Sequence, residues 1–268
     1  MMKIVFIGAG NLATNLGNAL HSVGNDILQV YSRTFESAST LATALGGAPV
    51  INIEDVTKDA DVYIISVKDS AIADIIPSLC NGRDDKIFLH TSGSVPLDVF
   101  KGMAQHYGVL YPMQTFSKTK LLDFKDIPFF VEGVDDLAFE TSHHLADSIS
   151  ERVYILSSEA RKHLHLAAVF ACNFVNHCYE ISSELLGKHD IPFDVMLPLI
   201  EETANKVHHM KPDEAQTGPA VRYDQNIIRM QSEMLRDNPI FKQIYECMSI
   251  SIHHVAHKKG DNKRLIMI

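Results

Sequence analysis

The sequence predicts a doubly wound, mostly parallel α/β sheet followed by an all-helical segment. Three observations carry this expectation. Short Val/Ile-rich runs alternate with amphipathic stretches through the first half, the pattern of βαβ units in a parallel sheet. A glycine-bearing loop follows the first such run directly. After about Ser157 the strand-like runs cease, and apolar residues recur only at helical spacing.

Taken in order, strands are expected at Lys3–Ile7, Ile27–Tyr31, Pro49–Ile51, Asp61–Val67, Lys86–His90, Gly108–Pro112, Phe129–Val131 and Arg152–Leu156. They read as continuous apolar runs rather than alternating ones, as strands covered by helices on both faces should. Between the first five lie expected helices at Leu12–Val23, Glu36–Leu45 and Ala71–Cys80. In the second half, Leu164, Ala167, Ala168, Ala171, Phe174, Val175 and Cys178 mark one helical face from Ser158 to Leu186. Ser157 or Ser158 caps that helix and Glu159 suits its first turn. Further helices are expected at Pro192–Met210, Asp224–Leu235 and Pro239–Lys259, with a loop over Lys211–Arg222 and Asp224 as a cap. The expected division is residues 1–157 for the α/β domain and 158–268 for the helical one.

Composition bounds the function. Lys plus Arg number 24 against 33 Asp plus Glu, a formal charge of −9, which argues against a surface for nucleic acid or anionic membrane. The four cysteines, Cys80, Cys172, Cys178 and Cys247, form no CxxC pair and read as buried thiols of a reducing compartment, hence a cytoplasmic protein. No apolar run approaches the roughly 20 residues of a membrane span. His253 and His257 stand i, i+4, but without a third ligand no metal is expected.

The chemistry begins at Phe6-Ile-Gly8-Ala-Gly10-Asn11-Leu12-Ala13. Gly8 permits a tight turn, Gly10 admits a pyrophosphate close to the backbone, and Ala13 lets helix and strand pack. The helix N-terminus adds free N–H groups for phosphate. This is a dinucleotide site of the Rossmann type. An NAD site places a carboxylate at the tip of the second strand, whereas Ser32, Arg33 and Thr34 stand there. Two hydroxyls and a guanidinium suit a 2′-phosphate, so NADP is favoured over NAD. Two more strand ends, Ser66-Val67-Lys68 and the one bearing Ser92, are expected along the cofactor.

These residues, with Asp61-Val-Tyr-Ile-Ile-Ser-Val-Lys68, resemble the N-terminal domain of pyrroline-5-carboxylate reductases. Deazaflavin-dependent NADP oxidoreductases and, more distantly, β-hydroxyacid dehydrogenases share that domain. The likeness covers about the first 110 residues. His90-Thr-Ser-Gly93, Tyr111-Pro-Met-Gln-Thr-Phe116, His165 to Asn173 and Thr217 to Arg222 resemble NADP oxidoreductases of unassigned substrate. The resemblance implies a helical domain that often forms a dimer interface, hence a homodimer. No Ser-Pro-Gly-Gly-Thr segment stands in the C-terminal half, a departure that speaks against proline synthesis.

Hydride transfer to a carbonyl or imine asks the protein for orientation and a proton donor. Lys162 and His165, three apart on one helix face, are the candidates, His165 first because histidine titrates near neutrality. Asn173, set among apolar neighbours, would hold the substrate oxygen. The analogy to β-hydroxyacid dehydrogenases implies a Lys and an Asn acting there, although that family spaces them one turn apart. Gln114 and Arg222 are candidates for substrate binding, Arg222 as an anion clamp. The expected function is NADP(H)-dependent oxidoreduction of a small polar carbonyl or imine, the alternative a non-catalytic NADP(H) sensor or scaffold.

Overall fold

The computed structural model describes the backbone of residues 1–265 and the side chains of residues 1–257. The side chains of Lys258, Lys259 and Lys263 lie outside the described ones. Eight strands form one sheet: β1 Lys3–Ile7, β2 Asp26–Tyr31, β3 Ala48–Val50, β4 Val62–Ile65, β5 Ile87–His90, β6 His106–Pro112, β7 Phe129–Gly133 and β8 Val153–Ile155. Their order is β3-β2-β1-β4-β5-β6-β7-β8, parallel except where β7 runs against β6. Helices α1 Asn11–Ser22, α2 Phe35–Leu45 and α3 Asp69–Cys80 make crossovers, and α4 Asp136–Asp147 joins β7 to β8. The direction of winding reverses between β1 and β4, which opens a crevice beyond their carboxyl ends.

The continuous apolar strands are explained by burial on both faces. Along β1, Ile4 and Phe6 enter one core cluster while Val5 and Ile7 enter the other, all four fully buried. Helix α4 was not expected from sequence, because Thr141 and Ser142 occupy its inward face beside Ala138, Leu145 and Ala146. Its N-terminal signal was present: Asp135 caps it, accepting from the Ala138 N–H at 2.9 Å.

The chain divides by packing into two compact units, Met1–Phe174 and Val175 onward. Secondary structure changes character earlier, after β8. Helix α5, Ser158–Ala168, belongs with the sheet. Arg161 of α5 is fully buried, donating to Glu132 of β7 and to the Val95 carbonyl, each at 2.6 Å. Ser158 donates its N–H and hydroxyl to the same carboxylate. A six-residue π-helix, Val169–Phe174, continues α5.

The second unit is helical: α6 Val175–Gly187, α7 Leu197–His209, α8 Pro212–Ala215, α9 Pro219–Arg222, α10 Gln225–Met234 and α11 Pro239–Leu265. The segment expected as a loop thus contains two single turns, each with proline in its first turn, where its missing N–H is no loss. Asp224 caps α10 through the Ile227 N–H. Helices α9, α10 and α11 pack together, joined by Tyr245 to Gln231 and Ser232 to Glu246 hydrogen bonds. No helix among the described residues is long and apolar enough to cross a membrane.

Candidate active site

The glycine loop closes where β1 and β4 part. Gly8 takes φ +122°, and a Cβ there would lie 2.3 Å from the Ser66 carbonyl oxygen, so only glycine fits. Its N–H donates to the Tyr31 carbonyl at 2.8 Å. At Gly10, the N-cap of α1, a Cβ would meet nothing within 4 Å. The first glycine is thus demanded by the protein's own packing, and the second leaves an open face that a phosphate fits. Ala13 is fully buried against the sheet, while Asn11 is exposed and Leu12 half-buried at the mouth of the loop.

Beyond β2, Arg33 is exposed and makes no ion pair or side-chain hydrogen bond among the described residues, and the Ser32 and Thr34 hydroxyls are equally uncommitted. Lys68, the N-cap of α3, is exposed, with Ser66 and Val67 half-buried beside it. Ser92 differs: it is buried, and its hydroxyl accepts from the N–H groups of Ser94 and Val95 at 3.1 and 3.0 Å. It shapes its own loop.

A cavity of about 610 Å³ within the first unit joins this loop to α5. Asn11 and Leu12 line it together with Gln114, Phe116, His165 and Asn173. His165 meets Tyr111 of β6, with Oη and Nδ1 3.1 Å apart. In an unbroken α-helix, a residue eight positions after His165 would stand about 80° round the axis. The wider turns of the π-helix rotate it back, and Asn173 lines the same cavity. Lys162 is exposed and does not line it. Arg222 is exposed on α9 in the second unit.

Two residues were missed in the sequence. Tyr111 stands in an expected strand and in a motif, and neither gives it a role. Gly93 was quoted within a motif but given no role, yet a Cβ there would fall 2.5 Å from His165 Nδ1 and 2.9 Å from Tyr111 Cζ. Burial pushes the Tyr111 hydroxyl above the ordinary phenol value. Behind this pair, burial drives His90 down to about 3, helped by the Arg161 charge. Its Nδ1 accepts from the Ser92 N–H, its ring stacks on Phe100, and its Nε2 has no partner.

Of the cysteines, only Cys80 is buried, and burial raises its thiol to about 12. Cys172 and Cys247 are exposed, correcting the expectation of buried thiols: Cys172 is turned into the cavity wall by the π-helix. His253 stacks on Tyr223 at 4.3 Å, and no cluster of three metal-ligating side chains occurs among the described residues.

Sheet order, glycine loop and adjoining cavity define a dinucleotide-dependent oxidoreductase. Residues 3–92 match the family described as NADP oxidoreductase, coenzyme F420-dependent, and residues 127–252 match a domain of unknown function, DUF2520. The chain belongs to the NADP oxidoreductase family of a Bacteroides fragilis protein of solved structure, named a putative NADP oxidoreductase. The two share 51% identity over 94% of this chain and 98% of that one, with a TM-score of 0.91. An imine reductase from Myxococcus stipitatus in complex with NADP+ shares the fold at 15% identity, covering 96% and 95% of the two chains with a TM-score of 0.66. A 1-pyrroline-5-carboxylate reductase from Streptococcus pyogenes does so at 13% identity, 94% and 98% coverage and a TM-score of 0.62. No curated protein matches the chain. As a member of this family it is an enzyme with NADP as cofactor.

Proposed function

We propose that the enzyme reduces a carbonyl or imine with NADPH in the cavity between the glycine loop and α5. One observation carries this reading: Asn11 and Leu12 of the loop line the same cavity as His165 and Asn173. When bound, NADPH supplies the hydride. Arg33, Ser32 and Thr34 hold the 2′-phosphate, the α1 N-terminus at Gly10, Asn11, Leu12 and Ala13 holds the pyrophosphate, and Ser66, Val67 and Lys68 border the ribose. Gly8 and Ser92 act through the loops they shape.

His165 is the proton donor. With Nδ1 paired to the Tyr111 hydroxyl at 3.1 Å, Nε2 is the nitrogen left for the substrate, and it gives its proton to the oxygen or nitrogen as the carbon is reduced. Asn173 steadies that heteroatom, and Gln114 borders the rest of the substrate. Lys162 and Arg222 have no such support.

The test is turnover of a carbonyl and imine panel followed by NADPH absorbance. His165→Ala and Asn173→Ala are expected to lose most activity while retaining NADPH binding; normal turnover in both would sink the assignment.

We further propose a homodimer through the helical unit. Leu199, Met230, Met234, Ile240 and Ile250 are each more than half exposed, apolar side chains that a second copy of the unit would cover. A cytoplasmic location is consistent with four free cysteines.

A further inference from the structure

We infer that the substrate's non-reacting part is uncharged and largely apolar, rather than a carboxylate or phosphate. This rests on the reading of the cavity as the reduction site and names the substrate class it takes. Among the described residues, no Asp, Glu, Lys or Arg lines the 610 Å³. Across from the glycine loop, one wall is Pro112, Met113 and Phe116, and the other is the small side chains Ala167, Ala168 and Ala171. The polar side chains that line it are the uncharged groups of Asn11, Tyr111, Gln114, Thr115 and Asn173, with His165. His165 and Asn173 serve the reacting bond. The Gln114 carbonyl oxygen already accepts from the Thr115 N–H at 2.8 Å.

A carboxylate carried into this space would meet no Lys or Arg side chain among the described lining residues. Alanine on successive turns leaves a shallow, smooth wall suited to a ring or branched alkyl group, and Met113 adapts to its outline. The reaction balances simply. The carbonyl or imine carbon gains the hydride, its heteroatom gains the His165 proton, and NADPH becomes NADP+; solvent then returns a proton to His165.

The test uses the full-length protein with NADPH and matched pairs of compounds. These are cyclohexanone with its carboxylated analogue, and a methyl-substituted pyrroline with pyrroline-5-carboxylate. The neutral member of each pair is expected to show at least tenfold higher kcat/KM, and to raise the Tm of the NADPH complex where its charged partner does not. Ala168→Arg, which adds a cation to the apolar wall, is expected to shift both readouts toward the charged members. Equal or better turnover of the charged members would overturn the inference, as would the absence of any Tm shift with the neutral ones. Failure of NADPH itself to bind, read by its own fluorescence titration, would overturn the reduction-site reading from which the inference starts.

Discussion

The Tyr111 hydroxyl and His165 Nδ1 stand 3.1 Å apart although 54 residues separate them in the chain, and Gly93 is the space that lets them meet. An added methyl at Gly93 must displace one ring or the other, since both contacts fall below 3 Å. Gly93→Ala is therefore expected to lower kcat at least tenfold, about 1.4 kcal/mol of barrier, with NADPH affinity unchanged. Tyr111→Phe, which keeps the ring and frees Nδ1, should show a loss in kcat of similar size. Steady-state kinetics beside a fluorescence titration of NADPH checks both.

The two loop glycines separate folding from binding. Gly8→Ala forces a Cβ against the Ser66 backbone at positive φ and should cost on the order of 2–4 kcal/mol of stability. Gly10→Ala meets open space and should change stability by no more than about 1 kcal/mol while weakening NADPH. Urea unfolding without nucleotide distinguishes them.

Arg33 is proposed to set the choice of dinucleotide. Its guanidinium has no partner among the described residues, so Arg33→Glu removes the 2′-phosphate contact without disturbing a protein interaction. NADPH affinity is expected to fall roughly 10- to 100-fold, the worth of a charged hydrogen bond, while NADH affinity does not fall. Parallel titrations with the two nucleotides decide it.

Arg161 and Glu132 form an ion pair whose side chains are 1% and 19% exposed. Glu132→Ala strands a buried guanidinium and should cost about 3–5 kcal/mol. The double variant Glu132→Leu/Arg161→Met should be markedly milder, because no charge is left unpaired. Denaturant midpoints of the single and double variants test this.

His90 ties stability to pH. Its folded value, about 3, lies below the ordinary histidine value near 6.5. Between the two the unfolded chain holds the extra proton, so stability is full above about pH 6.5 and is lost as pH falls toward 3. His90→Phe should flatten the fall in Tm over that range, measured by thermal unfolding across a pH series.

The fold was legible because its signals are local. The continuous runs at Ile4–Ile7 and Val62–Ile65 have few alternatives to strands buried on both faces, and glycine and alanine at residues 8, 10 and 13 fix a strand-loop-helix turn. Helix α4 was hidden because Thr141 and Ser142 break the apolar period that reveals α1. Within the site, Arg33 and the loop could be read directly, His165 stood out as a histidine sharing a helix face with Lys162, and Asn173 as a polar group among apolar neighbours. Tyr111 and Gly93 could not, since their role arises from β6, a strand end and α5 meeting in space. The π-helix was equally invisible: nothing in Val169–Phe174 marks where the helical period widens.

The buried Arg161 also bears on where the chain can be cut. A fragment ending at residue 157, where the strands stop, would lose Arg161 and Ser158 together. The Glu132 carboxylate and the Val95 carbonyl would then be left without these donors. A fragment reaching residue 174 keeps every donor of that network. A fragment that keeps this network is thus longer than the strand pattern suggests, and one reaching residue 174 already carries His165 and Asn173. The proposed cofactor and proton-donor groups therefore lie within one compact unit, Met1–Phe174.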